Sequence, residues 1–99
     1  MPATNTHPKV QHFPLGQIVA TPRAMVAFER NQQQPIAFLH RHATGDWGEV
    51  CDEDKQANDH AVDNGKRLLS AYSLSDDTKV WVITERDRSV TTLLLPEEY

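Results

Sequence analysis

Cysteine is nearly absent. Cys51 stands alone among 99 residues, so no disulfide can form within the chain, which fits a reducing cytosol. No apolar run is long enough to cross a membrane, and the N-terminus lacks the apolar core of a signal peptide. The expectation is a soluble cytoplasmic protein with no membrane partner. Glycine is scarce too, with four residues, and none builds a phosphate loop, a dinucleotide fingerprint or a serine-nucleophile elbow. The chain also lacks a basic excess. Its formal charge is -4, which gives nucleic acid no general electrostatic attraction.

What is present is unevenly placed. Up to Gly45 the charged residues are Lys9, Arg23, Arg30 and Arg41 against Glu29 alone; thirteen of the fourteen acidic residues follow. The densest chemistry lies in His40-Arg41-His42-Ala43-Thr44-Gly45-Asp46-Trp47-Gly48-Glu49, with two imidazoles, a guanidinium, two carboxylates and an indole in ten residues.

Residues 1–12 are rich in Pro, Thr, Asn and His and read as a flexible tail, in which His7 and His12 are solvated; residues 13–99 read as one domain. Residues 15–20 suit a short strand, and Thr21-Pro22 supplies the cap and first-turn proline of a helix. Pro35 opens a second helix with Ile36, Leu39 and Ala43 on one face and Gly45 at its end. Asp52 caps a third, which ends at Gly65. From Arg67 the period changes from helical to alternating. Residues 67–74, 79–85 and 90–95 read as strands, separated by the turns 75–78 and 86–89 and stopped by Pro96. The predicted class is therefore α+β: two or three N-terminal helices packed on a three- or four-stranded antiparallel sheet.

Cys51, Asp46, His40, His42 and His60 offer zinc-capable atoms but match no ligand spacing, and the acidic run at Asp52 lacks the regular ligands and internal glycine of a calcium loop. No metal and no cofactor is expected. His42 is the foremost acid–base candidate, with Asp46 placed to orient it. The simpler alternative has Asp46 capping the loop backbone and Trp47 plugging the core edge. If strand parity holds, Ser70 and Tyr72 share a face with Thr84 and Thr92, flanked by Arg67 and Glu85, with Arg88 in the following turn. Such a face has the guanidinium and hydroxyl groups that hold a phosphodiester.

The stretches Phe13 to Pro22, Arg41-His42 with Gly45-Asp46-Trp47-Gly48, Arg67 to Tyr72, Trp81 to Glu85, Asp87-Arg88-Ser89 and Thr91 to Tyr99 resemble a widespread family of short bacterial proteins carried on plasmids and integrative elements. Arg23 and the longer N-terminal tail depart from that family's pattern. The resemblance implies a mobile-element setting and no particular chemistry. A weaker architectural likeness is to compact metal-independent ribonuclease toxins. It implies RNA cleavage, with His42, Arg67, Tyr72, Glu85, Arg88 and Thr92 as the matching residues; joined to the placing of Asp46 beside His42, the expectation is His42 as general base oriented by Asp46, Arg67 and Arg88 stabilising phosphate charge, Glu85 as acid, and Tyr72 and Thr92 holding phosphate oxygens. The competing expectation is a non-catalytic acidic protein that binds a host or plasmid protein, with the stretch 46–63 mimicking nucleic-acid phosphates or meeting a basic surface.

Overall fold

The computed structural model describes residues 10–99; the expectations for residues 1–9, His7 among them, lie outside the described residues. Strand β1 (Gln17–Ala20) leads into helices α1 (Pro22–Arg30), α2 (Pro35–Ala43) and α3 (Asp52–Asn64). Strands β2 (Leu68–Ser73), β3 (Lys79–Thr84) and β4 (Val90–Leu94) follow, and a 3-10 turn over Pro96–Glu98 closes the described chain. The class is α+β, as the change of period predicts.

The sheet differs from the expected antiparallel one. Its order is β1-β4-β3-β2, and β1 runs parallel to β4. The turns 74–78 and 85–89 make β2, β3 and β4 an antiparallel meander. β1 reaches β4 only through everything between them, a pairing that no local pattern encodes. Gly16 makes it possible: at φ 67, a Cβ there would sit 2.3 Å from the Ser89 carbonyl oxygen, where the strand begins.

The local signals hold well at the helices. The Thr21 hydroxyl accepts from the Ala24 N–H at 3.1 Å and donates to Glu98 Oε1 at 2.8 Å, so the cap of α1 also anchors the end of the chain. In α2 the buried face is Phe38, Leu39, His42 and Ala43. Ile36, expected on the buried stripe, is 69% exposed. It lies in the first turn of α2, and Phe38 packs between Phe28 and Tyr72 in its stead. The N-cap of α3 is Cys51, with Asp52 its first helical residue, and Gly65 at its end adopts the left-handed conformation.

One core cluster joins α1 and α2 to the sheet through Phe28, Phe38, Tyr72, Leu74, Val80, Val82, Leu93 and Leu95. Burial of each large side chain contributes about 1.5–3 kcal/mol. The second cluster is smaller and gathers Phe13, Trp47, Ala61 and Leu68. The outer edge of β2 is closed against further pairing. Asn58 imitates a neighbouring strand, its Nδ2 donating to the Leu69 carbonyl at 2.8 Å and its Oδ1 accepting from the Leu69 N–H at 3.3 Å. Two residues on, Gly48 bridges Ala71: the Glu49 N–H donates to the Ala71 carbonyl at 2.7 Å and the Ala71 N–H to the Trp47 carbonyl at 3.2 Å.

Candidate functional site

His42 lies on the buried face of α2, three residues past Leu39, and faces the core side of the sheet with no exposed surface. Its Nδ1 is 2.6 Å from the Ser70 hydroxyl and its Nε2 is 2.9 Å from the Thr84 hydroxyl. Thr84 Oγ1 is 2.7 Å from Thr91 Oγ1, which donates to the Leu15 carbonyl at 2.7 Å. This buried chain of hydrogen bonds ties α2 to β2, β3, β4 and the segment before β1. A neutral imidazole donates from one nitrogen and accepts at the other, which satisfies both hydroxyls without a net charge.

Aromatic rings close the site on another side. The rings of Phe13 and Trp47 meet the imidazole edge-on at centroid distances of 5.3 and 5.6 Å, and they stack on each other at 6.1 Å. Burial, aided by the positive charge of Arg88, pushes the imidazole pKa down to about 4. At neutral pH His42 is therefore neutral, fully bonded and out of reach of a substrate.

Asp46 performs the alternative role that the sequence allows. Its Oδ1 accepts from the Gly48 N–H at 3.2 Å and its Oδ2 pairs with Arg41 Nε at 2.7 Å. That pairing raises the pKa of the Arg41 guanidinium, which also lies 4.5 Å from the centre of the Tyr72 ring. Tyr72 is buried, its hydroxyl donates to the Asp46 carbonyl at 2.6 Å, and burial first of all pushes its pKa up to about 12. Trp47 is buried as expected, against His42 of α2 as well as Ala61 and Leu68, with its indole N–H on Asp59 at 2.9 Å. Gly48 completes the turn at φ 75. A Cβ there would lie 2.0 Å from the Ala71 carbonyl oxygen, so a side chain and the bridge to β2 cannot coexist.

The remaining candidates are dispersed. Thr92 is opposite Ile83 and Val19 on the other face of the sheet from Ser70 and Tyr72, which corrects the parity expected from sequence. Thr91 occupies the core-facing position instead. The signal was the length of the 86–89 turn: pairing Glu85 with Val90 places Thr84 opposite Thr91. Arg67 donates to the Tyr99 hydroxyl and lies 5.2 Å from the centre of that ring, near the end of the chain. Glu85 is half-buried and joins the β3–β4 turn through its backbone.

Arg88 is spent on the backbone. Its guanidinium donates to the carbonyls of Lys66 at 2.6 Å, Ala61 at 2.9 Å and Glu85 at 3.2 Å, and lies 5.5 Å from the centre of the Phe13 ring. His42 and Tyr72 are thus core residues, with Thr84 and Ser70, whereas Asp46 is half-buried and turns its carboxylate to Arg41 and the Gly48 N–H rather than to the imidazole expected from sequence. Arg67, Glu85 and Thr92 do not join them.

No group of His, Cys, Asp and Glu among the described residues is arranged to hold a metal ion. No helix among them is long and apolar enough to cross a membrane. No protein-family model, curated protein or solved structure matches the chain.

The outward surface of α3 is the other polar concentration. Of its thirteen residues, Asn58 and Ala61 are buried. Asp52, Asp59 and Asp63 recur at i, i+7 and i+11 along one stripe, with Glu53 and Asp54 beside Asp52 in the first turn. The three acids of the first turn favour the positive end of the helix dipole. The four ion pairs among the described residues all lie elsewhere, at Arg23–Glu97, Arg30–Asp76, Arg41–Asp46 and Lys79–Glu49.

Proposed function

We propose that this chain is a non-catalytic accessory protein that binds a basic surface on a host or plasmid protein through the acidic face of α3, in the manner of a nucleic-acid mimic. The observation that carries this reading is the exposed carboxylate stripe of α3, which enters none of the ion pairs among the described residues. Carboxylates without a cationic partner on a rigid helix suit rapid, salt-sensitive association with a positive surface. The likeness to short proteins of plasmids and integrative elements supplies the setting.

Metal-independent RNA cleavage is less well supported, because its general base would be an imidazole whose two nitrogens already bond Ser70 and Thr84 out of solvent. Incubation of RNA with the purified protein and EDTA, alone and with ribosomes, tests it: intact RNA is the outcome expected here. For the binding function, affinity capture from host lysate at low salt should retain a basic partner that elutes as salt rises. Replacing Asp52, Glu53 and Asp54 with Asn, Gln and Asn should abolish that retention. Retention of the same partner by the neutralised helix would refute the assignment.

A further inference from the structure

Four of the ten basic residues, Lys66, Arg67, Arg86 and Arg88, gather where the end of α3 meets the β3–β4 turn of this otherwise acidic chain. Between them is a cleft of about 430 Å³ lined by Asn64, Gly65, Lys66, Arg67 and Arg86. No carboxylate is among its lining side chains. The Lys66 and Arg86 side chains are exposed and make no ion pair among the described residues. Three cations held this close repel one another, relieved in part by the Asp87 carboxylate beside Arg86, and something must hold the two turns in place. Arg88 does so: it binds the Ala61 and Lys66 carbonyls on one wall and the Glu85 carbonyl on the other. The same contact covers a terminal carbonyl of α3, masking part of the negative helix pole that would oppose an anion. The remaining half-charge of that pole is small beside three full positive charges.

Arg67 connects the cleft to an aromatic pair. Its guanidinium covers the Tyr99 ring, which meets Trp81 edge-on at 5.6 Å; Tyr99 is 64% exposed and Trp81 half-buried. We propose that this cleft binds a nucleoside diphosphate, its phosphates on Lys66, Arg67 and Arg86 and its base against the Tyr99–Trp81 pair. A diphosphate matches the concentration of positive charge better than a single carboxylate does, and the cleft falls within the size range of small-molecule sites. A phosphate ester beside a planar base is also offered by single-stranded nucleic acid. The net charge of -4 and the acidic stripe of α3 favour the small free nucleotide over a long polyanion.

The test is calorimetric titration of the full chain with ADP, inorganic pyrophosphate and a short oligothymidylate, at low and at physiological salt. ADP should bind saturably and quench Trp81 emission. Lys66→Gln and Arg86→Gln should each weaken it about tenfold or more, the usual worth of a charge-assisted hydrogen bond. Tyr99→Ala should weaken ADP while leaving pyrophosphate nearly unchanged. Both charge variants lie on the surface, and an unchanged thermal melt confirms their fold. Absence of saturable ADP binding, or ADP binding indifferent to both charge substitutions, would overturn the site. Pyrophosphate binding as tightly as ADP would overturn the nucleotide assignment, and tighter binding of the oligothymidylate would overturn the free nucleotide as its source. None of the three probes addresses the carboxylates of α3, so failure here and failure of protein capture are separable.

Discussion

Around His42, the hydroxyls of Ser70, Thr84 and Thr91 lie among aromatic rings, and each polar atom of the imidazole has a partner within 2.9 Å. At the cleft of Lys66, Arg67 and Arg86 the charged groups stay at the surface, and the bonding that organises them is made by Arg88 to the backbone behind. The first region is chemically rich and finished; the second is simpler and open. A histidine becomes a reagent when it is reachable and poised near neutrality, and His42 is neither. Its environment instead makes it a polar keystone, costly to disturb because every neighbour is positioned to satisfy it.

That contrast predicts a hierarchy of effects. The largest belongs to His42→Ala, which removes a buried ring and strands the Ser70 and Thr84 hydroxyls; denaturant melts should show a loss of about 3–5 kcal/mol. Gly48→Ala should follow, at about 2–4 kcal/mol, because its Cβ collides with the Ala71 carbonyl and its positive φ disfavours a side chain. Gly45→Ala should cost less than Gly48→Ala in the same melts. Its φ is also positive, but the added Cβ meets the His12 ring rather than a strand backbone.

Acid should act on the same region. The His42 pKa is about 4 in the folded chain and about 6.5 when unfolded. The unfolded chain therefore takes up a proton as pH falls below about 6.5 while the folded one does not. Stability attributable to His42 is complete above that range, declines toward pH 4, and levels off below it. The loss is about 3 kcal/mol, and melts of His42→Leu between pH 7 and 4 should lack it. The depressed pKa values of Asp76, Asp87 and Glu98, each lowered by hydrogen bonds in its turn or cap, add a further acid-side loss in both proteins. The smallest effect belongs to the open region: Lys66→Gln and Arg86→Gln should change stability by less than about 0.5 kcal/mol, or raise it slightly by relieving repulsion.

The same contrast explains what could be read from sequence. Thr21-Pro22, Pro35, Gly65 and the Ser75–Thr78 turn each act within a few residues, and each element begins or ends where they indicate. The alternation Leu68, Ser70, Tyr72, Leu74 faces the core as its period requires. The parallel pairing of β1 with β4 joins residues more than seventy positions apart, and no periodicity carries that information. His42 stands out in the sequence, but its role is not legible there, because both its partners come from strands that follow it by 28 and 42 residues. Arg88 likewise reads as a free cation in a charged turn until the carbonyls of Ala61, Lys66 and Glu85 converge on it. Lys66 and Arg86 stand in two separate turns and become a cluster only when Arg88 draws those turns together.

The measurement that bears most directly on the structural role of His42 is an imidazole titration by heteronuclear NMR, with the ring resonances assigned through a His42→Gln variant. A ring held between Ser70 and Thr84 should show a single neutral tautomer, slow exchange of its N–H with solvent, and no protonation until pH falls to about 4. A midpoint near the ordinary value of about 6.5, with rapid N–H exchange, would place His42 in contact with solvent and return it to the list of reactive groups.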